Sequence, residues 1–467
     1  MSRVSSAKQA AVVVLNTCTV TTGADQDARA AIRRVRRQNP EARIVVTGCY
    51  AQRAPEEIAA LPGVDLVVGN SHKHQLAEIV SCAGANRAEE ALAPELQSFV
   101  PVATLSSGSR KPEAESPIYV SDIFAHTELL AAPVFDAANE RTRPNLKIQD
   151  GCDNRCSFCV IPYVRGQSRS LEAERIVREV NTLVNAGYRE VVISGINLGR
   201  WGRDLDLRPR TSDLGQTTTV EADGLRSEVQ GLRSHSRETR LTDLIRGILA
   251  DTSLEKLRIS SVEPMDWSDE LIELVASSPR IAKHAHVPMQ SGSDAVLRRM
   301  HRKYRPWHYG EKIERIRAAM PNAAIGADVM VGFPGETDFE FEATRRMIED
   351  LPFTYLHVFT YSARPGTPAA EMPNQVPVHI ARERNRMLRE LASEKKLAFM
   401  RSFIGKAVEA ITLNVSGTDE GGEFTEALTD NYLKLRLLGR HDANRWRIAT
   451  VRKAKDGVLG GSLFGDS

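Results

Sequence analysis

Short apolar runs, each too brief for a buried helix and each followed by a helical stretch, set the architecture this chain can adopt. Residues 11–15 (Ala-Val-Val-Val-Leu), 43–47 and 64–68 are rich in β-branched side chains, as strands buried on both faces of a parallel sheet are. Helical stretches over 24–38, stopped by Pro40, and over 55–61 lie between them, which predicts a small N-terminal α/β domain. The alternation resumes from Leu146, with runs at 190–194, 257–261, 284–288, 324–331 and 355–359 and helices such as 171–186 between them. Repeated βα units without a sheet-reversing break predict an open or closed β/α barrel, with its active site at the C-terminal ends of the strands. Thr337-Asp-Phe-Glu340 fits a capping box that opens the helix after Gly332-Phe-Pro-Gly-Glu336.

The second constraint is chemical. Cys152, Cys156 and Cys159 form a C-x3-C-x2-C loop, with Gly151 allowing a bend just before the first thiol. Three thiolates so close together can each hold one iron of a [4Fe–4S] cube, leaving the fourth iron open to a small molecule. Structural zinc takes four ligands and draws the fourth from nearby, but no cysteine follows Cys159 and the nearest histidines are His126 and His235. A disulfide is disfavoured by the odd count and by the lack of a secretory segment. Two further cysteines, Cys18 and Cys49, fall where strands of the N-terminal domain end, the edge at which α/β folds place their chemistry. Cys82 reads as a spare thiol near a helix end.

After about Gly405 the apolar period changes to two. Runs at 407–413, 424–429, 432–437 and 446–451 read as short strands suited to a small five-stranded β-barrel, a shape that often presents a sheet face to oligonucleotides. Residues 84–142 are weakly patterned and read as a linker, with room for one strand, while the polar stretch 203–239 reads as a surface insert in the barrel. The net charge of +2 does not announce nucleic acid. Arginines 29, 33, 34, 36 and 37 cluster, as do Arg445, Arg447, Arg452, Lys453 and Lys455, and such runs serve as solvated faces or as phosphate tracks. No run of eighteen apolar residues exists and the N-terminal stretch lacks a signal-peptide core, so the expectation is a cytoplasmic chain with no membrane span.

The cysteine spacing, with Phe158 before the last thiol, resembles the radical S-adenosylmethionine superfamily. Asn16-Thr-Cys-Thr-Val-Thr21, Gly48-Cys-Tyr-Ala-Gln52, Ile161-Pro-Tyr-Val-Arg-Gly166, Ser260-Ser-Val-Glu-Pro264, Pro288-Met-Gln-Ser-Gly-Ser293, Val331–Glu336 and Tyr361–Thr367 together resemble its methylthiotransferase branch. The resemblance implies an α/β chain in three parts. These are an incomplete N-terminal Rossmann-like domain (1–83), a partial (β/α) radical barrel (143–400) after the 84–142 linker, and an RNA-binding TRAM barrel (404–467). It implies a [4Fe–4S] cluster on Cys152, Cys156 and Cys159, S-adenosylmethionine held near Phe158, Ser194, Gly195, Ser261, Glu263 and Gln290, and an auxiliary [4Fe–4S] cluster on Cys18 and Cys49. Within the branch, Thr-Val-Thr after Cys18 and Ser-Ser-Val-Glu-Pro look most like the enzymes acting on N6-threonylcarbamoyladenosine in tRNA. Methylthiolation at C2 of that nucleoside at position 37 is therefore the expected reaction. The alternatives are a ribosomal protein S12 methylthiotransferase and a noncatalytic iron–sulfur RNA-binding protein. Expected partners are tRNA and an electron donor such as flavodoxin or ferredoxin, and the chain is expected to be a monomer. The branch carries a third auxiliary cysteine in a Gly-Cys-x-x-Asn-like motif upstream of the Asn-Thr-Cys strand. The expectation is that a misplaced start codon removes it here, together with a first strand and helix.

Overall fold

The computed structural model describes residues 6–85, 116–126, 129, 142–205, 240–419 and 421–464. Most of the linker expectation (86–115, 127–128, 130–141) and of the insert expectation (206–239) lies outside the described residues. In the N-terminal part, β1 (Val12–Thr17), β2 (Arg43–Gly48), β3 (Leu66–Val68) and β4 (Ile118–Tyr119) form one parallel sheet in that order. The fourth strand comes from the segment read as linker, where Ile118 and Tyr119 register against Val67 and Val68. The helix Thr22–Gln38 starts two residues before its apolar pattern does, because the Thr21 hydroxyl accepts the Ala24 N–H and caps it.

Six parallel strands make the central unit: β5 (Asn145–Lys147), β8 (Glu190–Ser194), β9 (Lys256–Ile259), β10 (His284–His286), β11 (Ala324–Val331) and β12 (Tyr355–Thr360). A short antiparallel pair, β6 (Gln149–Asp150) with β7 (Arg169–Ser170), follows the first of them. Isolated bridges Leu257↔Ile281 and Ser261↔His286 join the β5-β8-β9 and β10-β11-β12 sheets into an open, partial barrel. One set of alternate residues, among them Val191, Ile193, Leu257, Ile259, Ile325, Ala327 and Val329, joins the main apolar core. The intervening residues, such as Glu190, Arg258, His286, Asp328 and Tyr355, face the other side, so the barrel interior is polar. The expected capping box at Thr337 and Glu340 is formed.

The pattern reading missed the 24-residue helix Val378–Arg401, which carries Leu388 into the core of the large barrel and Met400 into that of the C-terminal unit. That unit is a closed barrel of β13 (Ala407–Asp419), β14 (Gly422–Thr429), β15 (Lys434–Leu438), β17 (Val458–Leu463) and β16 (Trp446–Lys455), ordered as written. The strand expected from 432 starts at Lys434 instead, because Tyr432 sits in the left-handed region (φ 66°) and makes the turn.

The small barrel closes the floor of the large one, at the N-terminal ends of β8–β10. Arg258, buried, pairs with fully buried Glu190 at 2.6 Å and donates to the Asp430 carbonyl at 3.1 Å. Lys256 pairs with Glu409 and Asp430, and the Tyr432 ring lies 4.8 Å from that of His284. Removing one partner of a buried pair leaves the other charge uncompensated. Arg258→Ala should therefore cost about 3 kcal/mol, the low end of that range since Arg143 still reaches Glu190, read as a fall in the urea midpoint. Arg346→Ala, on an exposed helix pair, should change it by less than about 0.5 kcal/mol.

Candidate iron–sulfur and cofactor site

The three-cysteine loop leaves the barrel through a turn that only glycine fits. Gly151 has φ +72°, and a Cβ there would stand 1.8 Å from the Gln167 carbonyl oxygen. Buried Ser157 pins the middle of the loop: its N–H donates to Met300 O (3.2 Å), its hydroxyl to Arg299 O (2.7 Å), and its carbonyl accepts from Ala369 N–H (2.9 Å). Cys156 and Cys159 close a turn, Cys159 N–H donating to Cys156 O at 3.1 Å. Phe158 packs edge-on against Phe333, with ring centroids 6.4 Å apart. Burial pushes the Cys159 thiol up to about 12, against the Ile161 N–H that draws it down, and burial also raises Cys152. These groups become thiolates by binding a metal rather than by titrating at neutral pH.

The residues around the sulfurs fit a cubane cluster. Arg302 Nη1 donates to Cys156 Sγ at 3.3 Å, and Asn197 Nδ2 points at Cys152 Sγ from 3.8 Å. Among the described residues, the buried Asn197 Oδ1 has no hydrogen-bond partner. Soft thiols with directed N–H donors beside them are the donor set such clusters take.

The six expected cofactor contacts divide. Phe158 is in the loop itself. Glu263 reaches the loop through Arg302, with which it forms an ion pair, while burial pulls its carboxyl upward. Gly195 faces Gln149, whose Oε1 a Cβ would meet at 2.7 Å; this close approach carries Asn197 toward Cys152. Ser194, Ser261 and Gln290 stand along the rim, engaged with Asn145, with His286 Nδ1 (2.9 Å) and with the Asp328 carbonyl (2.8 Å).

Cys18 and Cys49 follow β1 and β2. Cys18 is exposed, and Cys49 is buried behind Gly48, whose Cβ position lies 2.3 Å from Thr17 O. Barrel residues complete the surroundings of Cys49. Arg165 Nε donates to its sulfur at 3.1 Å, Asn70 joins it (3.5 Å) to the Val164 carbonyl (2.8 Å), and Val160, Ile161 and Val164 pack on it. The same Arg165 reaches the Asp150 carboxylate at 3.3 Å, immediately before Gly151 and Cys152. Cys49 thus sits against the segment that directly follows the three-cysteine loop, across the seam between the two domains. Cys82 is exposed and lies elsewhere on the N-terminal domain.

A Radical SAM superfamily model matches residues 146–348, and one described as Uncharacterized protein family UPF0004 matches residues 1–69. The threonylcarbamoyladenosine tRNA methylthiotransferase MtaB of Bacillus subtilis (strain 168) is 34% identical over 431 residues, 92% of this chain and 83% of that one. That of Aquifex aeolicus (strain VF5) is 34% identical over 436 residues, 93% and 89% of the two chains. The tRNA-2-methylthio-N(6)-dimethylallyladenosine synthase of Novosphingobium aromaticivorans is 33% identical over 415 residues, 88% and 80%. This chain belongs to the radical S-adenosylmethionine methylthiotransferase family. The family's cofactors are a [4Fe–4S] cluster and S-adenosylmethionine, as the cysteine spacing led us to expect.

The sequence pattern left unmarked several side chains of this methylthiotransferase site, among them Asn70, Ser157, Arg165, Asn197, Arg302 and Arg364. Arg165 and Arg364 lie inside segments that carry the resemblance, where their presence was a signal, whereas Asn197 and Arg302 lie outside them. Arg364 docks the two domains: buried, it pairs with buried Asp25, which also pairs with Arg53 at 3.0 Å and accepts from the Thr19 hydroxyl at 2.7 Å. In folded protein stripped of iron, alkylation followed by mass spectrometry should label exposed Cys18 readily and buried Cys49 slowly. Arg364→Ala should raise Cys49 labelling more than about tenfold, since losing one partner of a buried ion pair costs about 3 kcal/mol, the low end of the range because Arg53 still reaches Asp25, and the opening population scales exponentially.

Proposed function

We propose that this chain is a tRNA methylthiotransferase that replaces the C2 hydrogen of N6-threonylcarbamoyladenosine at position 37, beside the anticodon, with a methylthio group. The observation that carries the reading is the seam itself, where Cys49 packs on Val160, Ile161 and Val164 just after the three-thiol loop and Arg165 links its sulfur to Asp150, two residues before Cys152. Its extent supports the same reading: the chain covers 83% and 89% of two relatives named for that reaction. When bound, the cluster and S-adenosylmethionine supply the one-electron chemistry that an unreactive C–H bond requires. The protein's share is positional. Cys152, Cys156 and Cys159 hold the cluster, Ser157 fixes their loop, and Glu263 and the rim residues Ser194, Gly195, Ser261 and Gln290 orient the cofactor. Cys18 and Cys49 hold the sulfur-handling site, with Arg165 and Asn70 fixing Cys49. The electron comes from a small donor such as flavodoxin or ferredoxin.

Recognition of tRNA falls to the small barrel. Arg445, Arg447, Arg452, Lys453 and Lys455 are all exposed there, whereas Arg29 and Arg36 of the N-terminal helix are already engaged by Glu57 and Asp65. Neutralising Arg445, Arg447, Arg452 and Lys453 together should weaken tRNA binding and flatten its salt dependence, each lost phosphate contact releasing about one ion fewer. An unchanged slope would move the RNA contact off this face.

Two experiments test the reaction. Replacing Cys152, Cys156 and Cys159 with Ala should abolish reductive cleavage of S-adenosylmethionine by anaerobically reconstituted protein while Cys18 and Cys49 remain. A nucleoside digest of tRNA from cells lacking the gene should lose the methylthio form of threonylcarbamoyladenosine. Loss of the dimethylallyl form instead would assign the substrate of the Novosphingobium relative, and an unchanged digest would overturn the tRNA reading.

A further inference from the structure

We propose that Arg302 is a positioning residue that sets the reduction potential of the cluster held by Cys152, Cys156 and Cys159, through a charged hydrogen bond to the Cys156 sulfur. The inference rests on the cluster reading of the loop and goes beyond the reaction assigned above. It starts from where the arginine sits. The helix Asp294–Arg299 ends in a left-handed residue, His301 (φ 57°), and the Arg302 N–H turns back to the Leu297 carbonyl at 2.9 Å. This reversal aims the side chain inward, where Arg302 is only 8% exposed.

Inside, every nitrogen of the guanidinium has one partner. Nε donates to the Tyr304 hydroxyl at 3.3 Å, Nη1 to Cys156 Sγ at 3.3 Å, and Nη2 pairs with Glu263. The Tyr304 ring lies 5.0 Å beneath the guanidinium, and its own hydroxyl donates to the main chain at Met289 (2.7 Å). A planar fork with three separate attachments cannot swing away from the sulfur, and a lysine could not reproduce it.

Hydrogen bonds to ligand sulfurs are among the levers by which proteins tune cluster potentials, because they stabilise the added electron. Here the donor is cationic and itself buried, so the effect is strong. Glu263 works the other way: as the counterion it moderates the charge that the sulfur feels.

The test is a redox titration, followed by electron paramagnetic resonance, of the anaerobically reconstituted full chain without S-adenosylmethionine. Relative to wild type, Arg302→Gln should lower the reduced-to-oxidised ratio at a fixed potential at least tenfold, about 59 mV for a one-electron couple. Arg302→Lys should show a smaller fall, a partial rescue. Glu263→Gln should move the ratio in the opposite direction. A wild-type midpoint in Arg302→Gln protein that holds wild-type iron overturns the proposal while leaving the cluster reading intact. If Arg302→Gln fails to retain iron, unchanged midpoints in both Arg302→Lys and Glu263→Gln overturn it equally. Wild-type protein that reconstitutes no [4Fe–4S] cluster overturns the reading and this inference together.

Discussion

The buried ion pair between Asp25 and Arg364 is the contact on which the site depends. It ties the start of the first helix of the N-terminal domain to a loop that follows the last strand of the large barrel. Arg53 and Thr19 complete the carboxylate's partners, so the full set is made only while the two domains are docked, and parting them breaks a buried pair. Thr22 and Ser362 add a pair of hydroxyls beside it at 2.9 Å. With the domains held so, the ends of β1 and β2 meet the loop that follows β5, and Cys49 comes to rest on the helix immediately after Cys159.

The arginines divide the labour around the sulfurs. Arg165 stands between Cys49 and the carboxylate of Asp150, so one guanidinium belongs to both cysteine sites. Arg302 serves the other side of the three-cysteine loop, and its partner Glu263 belongs to the rim where the cofactor is expected. Both use the property that distinguishes arginine from lysine, several donors in a fixed plane.

The opposite end of the barrel obeys a different rule. Its floor is closed by the small C-terminal barrel through Arg258, Glu190, Lys256 and Asp430, and the long helix Val378–Arg401 shares side chains with both cores. The face proposed to bind tRNA is therefore joined to the large barrel through a helix shared by both cores. The polar interior between floor and rim, with His286 and Asp328 at 3.4 Å, suits a bound polar base better than a packed core would.

Much of this was legible in the residues alone. Period-two and β-branched runs fixed most of the strands, since strand burial depends on local pattern, and the C-x3-C-x2-C spacing specified its chemistry because three neighbouring thiols on one loop leave few other uses. Boundaries moved where a side chain or a backbone angle outweighed the pattern, as Thr21 did by capping and Tyr432 by turning left-handed. Ile118 and Tyr119 were illegible as a strand because two residues carry no period, and only the exposed edge of β3 gives them a place. The same holds for the arginines: Arg302 lies outside every motif segment, and although Arg364 lies inside one, nothing local says what it pairs with. Their roles arise from contacts across long sequence separations, Arg302 with Cys156 and Arg364 with Asp25, and those separations are closed by the tertiary structure alone.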